Sequence, residues 1–264
     1  MSNQAIPKLQ IQNVGKRFDN VEALTPVSLD VAANEFVCIV GASGCGKSTL
    51  FNIVSGLLSP TQGSVLLDGT EIANRPGQVG YMLQKDLLLP WRTVLQNIVL
   101  GPALRGKLKQ EDYDRAAALA THYGLGNFLH AYPHALSGGM RQRVALMRTL
   151  TAGNDTLLLD EPFGALDYQT RVSMQSWLLD VWREMQRTII FVTHDVDEAI
   201  FLADRVVVMT PRPGRIHSIL PINLARPRTP ATLSDPAFMA VKRQIMEVLH
   251  PASRAAEQKG QAHV

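Results

Sequence analysis

Residues Gly41 to Thr49, with the sequence GASGCGKST, combine three glycines with a lysine and neighbouring hydroxyl side chains. The pattern G-x-x-x-x-G-K-S follows an apolar run and precedes a helical pattern. Glycines let the backbone curl so that successive N–H groups point at phosphate oxygens, and the helix start adds partial positive charge. Lys47 can reach the terminal phosphates, Ser48 can offer its hydroxyl to Mg²⁺, and Thr49 can contact the inner phosphates. The sequence therefore predicts a nucleoside triphosphate site at Gly41, Ala42, Ser43, Gly44, Cys45, Gly46, Lys47, Ser48 and Thr49.

A second stretch whose residues could take part in chemistry is TLLLDE, in which an apolar run ends at Asp160 and is followed by Glu161. A carboxylate at the end of such a strand can hold Mg²⁺ through water, and a second acid can polarise an attacking water molecule. Alone, a strand-final Asp-Glu pair could equally be a solvated sheet edge. Beside a triphosphate-binding loop, the pair favours a hydrolase over a small-molecule kinase, which would have to position a substrate hydroxyl.

Composition narrows the classes of protein that could use this chemistry. The chain has 264 residues, is 46% hydrophobic, and carries a net charge of +3 with acids and bases interspersed. It can bury a large core, but the weak, unpatterned charge argues against nucleic acid as a partner. No apolar run approaches the roughly 18 residues that cross a bilayer, and the first ten residues lack a secretory signal pattern. Cys38 and Cys45 belong to no metal-binding set, so we expect a cytoplasmic protein without a structural disulfide.

Two kinds of strand pattern must position these residues. Continuous apolar runs at 36–40, 156–160, 188–194 and 205–209 are typical of a parallel sheet buried on both faces. Helical patterns separate them, at about 47–57, 138–151, 170–186 and 196–203, which predicts an α/β fold. Apolar and polar side chains alternate at 8–14 and 64–69, and 28–31 is a shorter candidate, so we also predict a small antiparallel sheet.

The remaining segments are helical or connecting. Residues 94–135 are mostly helical in pattern and predict a helical subdomain inserted into the α/β core. Prolines punctuate 224–233, which indicates a linker. After Pro236, apolar side chains recur at helical spacing, namely Phe238, Val241, Ile245 and Leu249. We expect this helix to pack on the body of the protein, and docking of a partner is the alternative.

The motifs GASGCGKST, LSGGMRQ, LLLDEP and ALD, with Gln84 and His194 in order between and after them, resemble the ATP-binding cassette of ABC transporters. The resemblance covers about residues 8–215. It implies an α/β P-loop NTPase fold with a mostly parallel core sheet, an N-terminal antiparallel β portion and an inserted helical subdomain at about 90–150, with ATP and Mg²⁺ as cofactors. We therefore expect an ABC ATPase domain at 1–215, and a linker with a C-terminal amphipathic helix at 216–264.

The resemblance also assigns roles to residues that are ambiguous alone. Gln84 resembles the glutamine that joins Mg²⁺ and links the site to the helical subdomain, and His194 resembles the histidine that senses the γ-phosphate. Asp167 resembles the aspartate that touches the opposite subunit, although alone it could be merely a helix N-cap. Phe18 resembles the aromatic residue that stacks on adenine, a position usually held by tyrosine, whereas an isolated phenylalanine is most often core. The predicted catalytic residues are Glu161, His194 and Gln84, and the predicted metal ligands are Ser48, Gln84 and Asp160.

The stretch LSGGM resembles the ABC signature motif, which forms one half of a phosphate-binding site shared between two subunits. In ABC cassettes two subunits associate head-to-tail, and the P-loop of one and the Ser-Gly-Gly of the other close on the same ATP. The residues fit, because Ser137 can donate a hydroxyl hydrogen bond while Gly138 and Gly139 allow close approach at a helix start. Without the other motifs, a capped helix with no ligand would be the simpler interpretation. The family more commonly has glutamine at Met140, so we expect that side chain not to be an essential phosphate contact.

Three classes of ABC protein compete: a transporter motor with separate membrane subunits, a DNA-repair or chromosome-organising ATPase, and a translation-associated protein. The repair class inserts a long coiled coil between P-loop and signature, but the interval from Lys47 to Ser137 is short and lacks sustained heptads. The translation class carries two cassettes in a chain, and this chain has one. The transporter motor is therefore favoured.

Within that class, the stretches LLLPWRTVLQNIVLG, VDEAIFLADRVVVMTPRPGRI and LARPRTP resemble the nitrate/sulfonate/taurine-type importer ATPases. That resemblance implies a homodimer at the cytoplasmic face of the inner membrane, with permease subunits as direct partners and a solute-binding protein as an indirect one. The stretch LLLPW at 87–91 is a candidate rim of the permease dock, and the core of the helical subdomain is its alternative. The sequence carries no direct chemistry for the choice of solute.

Overall fold

The computed structural model of the chain describes residues 6–106, 108–164 and 166–249. The strands are β1 Leu9–Phe18, β2 Val21–Val31, β3 Phe36–Gly41, β4 Gln62–Leu67, β5 Thr70–Glu71, β6 Gly80–Met82, β7 Thr156–Asp160, β8 Thr188–Thr193, β9 Arg205–Met209 and β10 Ile216–Pro221. The helices are α1 Lys47–Val54, α2 Val94–Ile98, α3 Leu100–Arg105, α4 Gln110–His122, α5 Gly138–Thr151, α6 Tyr168–Met185, α7 Val196–Leu202 and α8 Pro236–Leu249. Short 3₁₀ turns occupy Gly126–Phe128, Pro133–Ala135 and Pro230–Ser234.

The chain divides into two units. One comprises Met1–Pro76 together with Thr188–Val264, and the other comprises Gly77–Arg187. The predicted domain boundary after residue 215 stays a prediction, and its outermost parts, 1–5 and 250–264, lie outside the described residues.

The first unit contains the small antiparallel sheet that the alternating patterns predict. Its strand order is β2-β1-β4-β5, and Leu9 of β1 pairs with Val31 on one side and with Leu67 on the other. β2 is longer than the predicted 28–31, because its first half pairs with the end of β1, where Phe18 faces Val21. The sheet therefore carries Phe18 at the end of a strand.

The same unit contains a second sheet in which β3 lies between β8 and β9 and runs parallel to both. Cys38 pairs with Phe191 on one side and with Val206 on the other, and every residue of β3 and β8 is buried. β10 adds an antiparallel edge beside β9. The continuous apolar runs thus form a parallel sheet buried on both faces, as predicted. This sheet places Gly41 and Thr193 at the carboxyl ends of neighbouring strands.

The second unit pairs β6 with β7 in parallel, with Tyr81 opposite Leu158, and carries helices α2 to α6. α5 buries an apolar face that includes Val144 and Met147. α2 begins at a capping box, in which Thr93 Oγ1 accepts from the Gln96 N–H over 3.3 Å and the Gln96 side chain accepts from Thr93 N–H over 3.0 Å. The inserted helical portion predicted from the sequence lies in this unit.

The C-terminal part of the first unit is fastened to α7. Arg228 is 5% exposed, and its Nη1 donates to carbonyls at the end of α7, those of Ile200, Phe201 and Ala203. Burial, and then the neighbouring Arg226, lower the pKa of Arg228 to about 10, so the guanidinium stays charged at neutral pH. A cation at a helix C-terminus opposes the negative end of the helix dipole, so this arginine fixes the linker in place.

Helix α8 packs on α7 rather than standing free. Phe238 and Ile245 are buried, and Lys242 Nζ lies 2.8 Å from Asp197 Oδ2. The packed helix that we expected is therefore present, and Met239 and Met246 face outward. Among the helices of the described residues, none is long and apolar enough to cross a membrane.

Candidate functional site

The phosphate-binding loop lies between β3 and α1, as its sequence predicts. Gly44 and Gly46 adopt φ angles of 76° and 98°, a region that side chains disfavour. A Cβ on Gly46 would lie 2.6 Å from Leu24 Cδ2, and one on Gly41 would lie 2.8 Å from Cys45 Sγ. Backbone conformation and packing both require these glycines. Cys45 is buried, so its thiol faces the protein, and its backbone N–H donates to Ala42 O over 3.2 Å.

Lys47 is held at the mouth of this loop. It is only 7% exposed, and its Nζ donates to Gly41 O over 2.8 Å and to Ala42 O over 3.1 Å. An ammonium group has three donors, and these contacts keep its charge beside the loop amides, where a phosphate would bind. Ser48 is exposed and Thr49 is half-buried at the first turn of α1. The loop, the lysine and the hydroxyl groups therefore lie together.

Gly214, to which no motif assigns a role, packs directly against this loop. Gly214, in the connection from β9 to β10, donates to Ala23 O and accepts from Thr25 N, each over 3.0 Å. A Cβ on Gly214 would lie 1.9 Å from Cys45 O, so no side chain fits between this connection and the loop. The only sequence feature that could have pointed to Gly214 is its place after Pro213 in TPRPGR, a stretch that indicates the importer subfamily and no contact with the loop.

The other predicted residues of the first unit lie on its surface. Phe18 is 42% exposed, and Lys16 Nζ lies 5.0 Å from its ring centroid, a cation–π distance. An exposed aromatic face suits stacking on a base better than it suits a core position. His194 is exposed directly after β8, and the next residue, Asp195, caps α7 by accepting from the Asp197 N–H over 2.9 Å. The histidine therefore sits at the carboxyl end of a strand next to a fixed helix start.

In the second unit, Asp160 ends β7 and is 4% exposed. Tyr81 of β6 forms a side-chain hydrogen bond with it. Burial, and then the Asp160 charge, raise the pKa of Tyr81 well above its ordinary value, so its hydroxyl remains protonated and can act as donor. No motif in the sequence points to Tyr81. It orients a carboxylate that is ready to meet a cation.

Glu161 follows at a turn and contacts the predicted glutamine. Its Oε2 accepts from Gln84 Nε2 over 3.1 Å, and its carbonyl accepts from Gly164 N over 3.1 Å. Glu161 has a φ of 47°, a conformation that is uncommon away from glycine and that clusters at functional sites. Because the amide nitrogen of Gln84 donates to Glu161, its amide oxygen is the atom that can meet a cation. The structure thus brings together two of the three predicted catalytic residues.

The signature residues cap helices. Ser137 is exposed at the N-cap of α5, and its Oγ accepts from Met140 N over 3.3 Å. Asp167 is exposed at the N-cap of α6, where it accepts from Thr170 N over 3.0 Å. Hydrogen bonds from the Thr170 side chain and backbone lower the pKa of Asp167. Both residues have a local capping role and an outward face, and the predicted contact with another subunit stays a prediction.

Two arginines of α5 fasten the segment that follows Gln84. Arg141 Nε donates to Asp86 Oδ2 over 3.1 Å, and Arg148 donates to the carbonyl oxygens of Asp86 and Leu87 over 2.7 and 2.8 Å. Burial lowers the pKa of Arg148, and the Asp86 charge raises it in part. These contacts could not be predicted from the sequence, because the pattern of a helix does not indicate which distant residue an arginine on it will contact.

The LLLPW stretch is partly surface. Leu87 and Trp91 are 52% and 71% exposed, whereas Leu88 is buried. Asn97, which is fully buried, fixes the backbone of this stretch and of the two residues after it. Its Oδ1 accepts from Leu89 N over 2.8 Å, and its Nδ2 donates to the carbonyls of Leu89, Arg92 and Thr93. The exposed tryptophan therefore stands on a rigid loop rather than in the subdomain core.

The comparisons with known proteins agree with these observations. The family model described as ABC transporter matches residues 24–164. A protein of Methanocaldococcus jannaschii, named as an uncharacterized ABC transporter ATP-binding protein, is 46% identical over 92% of this chain and 91% of its own length. The nitrate import ATP-binding protein NrtD of Synechocystis is 43% identical over 89% and 91%, and a taurine import ATP-binding protein TauB of Jannaschia is 41% identical over 91% and 93%.

Among solved structures, the dimeric bacterial ABC transporter cassette MJ0796 superposes with a TM-score of 0.74 at 29% identity, covering 82% of this chain and all of that one. The chain therefore belongs to the ABC transporter family, as an ATP-binding subunit that resembles the nitrate and taurine import proteins.

Proposed function

We propose that this chain is the ATP-hydrolysing motor subunit of a prokaryotic importer for a small solute of the nitrate, sulfonate or taurine class. It works as a head-to-tail dimer on separate membrane subunits. The observation that carries the proposal is the 3.1 Å hydrogen bond from Gln84 Nε2 to Glu161 Oε2, which holds a carboxylate in place directly after Asp160. The relatives named for nitrate and taurine import support the class of solute.

The phosphate-binding loop binds the nucleotide. Its amides and Lys47 neutralise the β- and γ-phosphates, and Phe18 offers its exposed ring to the adenine base. A base stacked on Phe18 would compete with Lys16, whose ammonium now lies over the ring. Phe18 lacks the hydroxyl of the tyrosine that the family usually has at this position, but it keeps the aromatic ring on which a base can stack.

The donor set fits Mg²⁺. The exposed Ser48 hydroxyl, the Asp160 carboxylate oriented by Tyr81, and the Gln84 amide oxygen are hard oxygen donors. Within the described residues no group of three His, Cys, Asp or Glu side chains forms a metal site, and an Mg²⁺ held largely by phosphate and water requires none. When bound, Mg²⁺ neutralises charge on the phosphate oxygens.

Glu161 acts on water. Its carboxylate accepts a hydrogen bond from the attacking water molecule and aligns it with the γ-phosphorus, and Gln84 prevents the carboxylate from turning away. His194, exposed after β8, donates to the γ-phosphate and reports its presence. A positioned base of this kind contributes roughly 10²–10⁴ in rate.

The signature residues act on a second copy. α5 has 14 residues and begins at Gly138, directly after the N-cap Ser137, so its positive end and the N–H groups of its first glycines can meet the γ-phosphate held by the partner. Asp167, exposed at the start of α6, provides a further contact across the dimer. ATP thus favours the closed dimer, hydrolysis favours the open one, and the difference in nucleotide affinity drives the cycle.

The rigid loop that carries Trp91 is the dock for the membrane subunits. An exposed aromatic residue on a fixed backbone loses little conformational entropy on binding and is a common interface anchor. The loop continues directly from Gln84 and Asp86, so movement of the dock and of the glutamine are coupled through the chain. The protein is then peripheral at the cytoplasmic membrane face, linked indirectly to a solute-binding protein, with no role for nucleic acid.

Uptake by cells tests the proposal. A host deleted for this chain and supplied with wild-type protein should accumulate labelled taurine, nitrate or an alkanesulfonate in an ATP-dependent way, whereas Lys47→Ala should restore none of it. Lys109→Ala, which removes an exposed lysine at the start of α4, is the matched control and should restore uptake. If the Lys47→Ala variant restored uptake of all three solutes as well as wild type does, the importer assignment would be rejected.

A further inference from the structure

The second unit contains a cavity of about 800 Å³ in which no predicted site residue takes part. It is bounded by α3, α4, the end of α5 and the end of α6. The side chains that matter for its chemistry are Arg105, Arg115, His122, Tyr123, Met185 and Arg187. A volume of this size lies within the range of small-molecule pockets.

Positive charge dominates the cavity wall once local pairs are considered. Three arginines and His122 face two carboxylates, Asp112 and Glu184. Asp112 already accepts the Lys109 N–H over 3.0 Å at the start of α4, and Arg115 lies 3.5 Å from Glu111. In the part of the chain that the structure describes, no carboxylate lies within ion-pair distance of Arg105 or Arg187. Two guanidinium groups therefore lack a counterion.

These two guanidinium groups converge on one turn. Gly153, at a φ of 78°, ends α5, and a Cβ there would lie 2.5 Å from Arg105 Nη2, so glycine lets that guanidinium rest on the backbone. Arg187 Nη1 donates to the carbonyl of the next residue, Asn154. Backbone contacts thus position both groups at one side of the cavity without neutralising them. A planar guanidinium with spare N–H groups is well suited to carboxylate, sulfonate or phosphate oxygens.

The cavity wall also has an apolar part. Leu119, Leu150 and Met185 contribute aliphatic surface. The Tyr123 ring packs in a tilted arrangement, at 4.3 Å between centroids, against Trp177, which is itself nearly buried. Burial raises the pKa of Tyr123, so its hydroxyl stays neutral. A ligand that satisfies both parts has an anionic head and a compact apolar body.

We propose that this cavity binds a small organic anion, with its head on Arg105 and Arg187 and its body against Leu119, Tyr123 and Met185. The site is separate from the nucleotide-binding residues and does not depend on the proposed import function. It lies at the last turn of α5, the helix that Ser137 caps, so an occupant is well placed to stiffen the signature helix.

The test uses naphthalene-2-sulfonate as probe, with calorimetry on the full chain in saturating Mg-ADP, which fills the nucleotide site without turnover. Wild type should bind one equivalent saturably, and Arg105→Gln and Arg187→Gln should each weaken binding at least tenfold, since each removes a charge-assisted contact. Arg183→Gln, which removes an arginine of α6 that pairs with Asp180 outside the cavity, should leave binding unchanged. Neutral 2-naphthol should bind at least tenfold more weakly than the sulfonate.

Absence of saturable binding, equal affinity in wild type and Arg105→Gln, or loss of binding when Mg-ADP is added would each overturn the proposal. Arg187 also holds Asn154, so circular dichroism of its variant is recorded first. If that variant fails to fold, Arg105→Gln and the neutral probe decide the question.

Discussion

Arg141 Nε lies 3.1 Å from Asp86 Oδ2, which joins helix α5, capped by Ser137, to the segment that begins at Gln84. Arg141 also donates through Nη1 to Leu136 O over 2.8 Å, next to the signature serine. Gln84 in turn donates to Glu161. Within the second unit, contacts therefore run from the predicted catalytic carboxylate to the residue predicted to serve the partner's ATP.

This arrangement predicts that Asp86 and Arg141 are coupled in hydrolysis. Asp86→Ala and Arg141→Ala should each lower phosphate release severalfold, and the double variant should be no worse than either single one, because both remove the same link. Both side chains are about one-third exposed, so the cost to stability should be only about 0.5 kcal/mol. Steady-state phosphate release and urea unfolding measure the two effects.

Asp180→Ala with Arg183→Ala, an exposed pair on α6, provides the control cycle and should leave hydrolysis unchanged. Strictly additive losses for Asp86 and Arg141 would show that the contact does not carry the coupling.

Gly214→Ala should weaken nucleotide binding at least tenfold, measured by titration with a fluorescent ATP analogue. The added methyl group would lie 1.9 Å from Cys45 O, so either the loop or the connection behind it must move. Gly69→Ala is the control, since Gly69 has a φ of 74° and open space around its Cα. That change should cost about 1 kcal/mol of stability and no affinity. Unaltered affinity in Gly214→Ala would mean that the loop tolerates the displacement.

Asp167 should contribute a pH-dependent part of stability. Its pKa is lowered in the folded state, so its contribution is present above the pKa of the unfolded chain and is lost as pH falls through the folded value. Asp167→Asn keeps a cap without the charge. The stability difference between wild type and this variant should be constant at neutral pH and should shift in favour of the variant below about pH 4. Urea midpoints across the pH range measure it, and a difference that stays constant down to about pH 3 would contradict the prediction.

The sequence predicted elements and motifs that are local in the chain. The phosphate-binding loop needs only neighbouring residues and the strand before it, so its place between β3 and α1 followed from the pattern GASGCGKST. The buried strands followed from continuous apolar runs, and the antiparallel sheet from alternation.

Contacts between distant residues could not be predicted in the same way. The fit of Gly214 against Cys45 depends on how the connection from β9 to β10 folds back, and no periodicity encodes it. Arg141 and Arg148 lie on a helix face that a sequence pattern describes only as polar. Tyr81 shows the same limit, because its partner Asp160 comes from the neighbouring strand.

Phosphate release and oligomeric state of Glu161→Gln, measured together in Mg-ATP, test the central claim most directly. Glutamine keeps the size of the side chain but cannot accept a water proton, so hydrolysis should fall at least 100-fold while ATP remains bound. The protein should then elute as a dimer in ATP and as a monomer in ADP, with light scattering giving the mass. Glu111→Gln, on the exposed face of α4, should behave as wild type in both measurements. Hydrolysis near the wild-type rate, or a monomer that stays monomeric with ATP bound, would contradict the account.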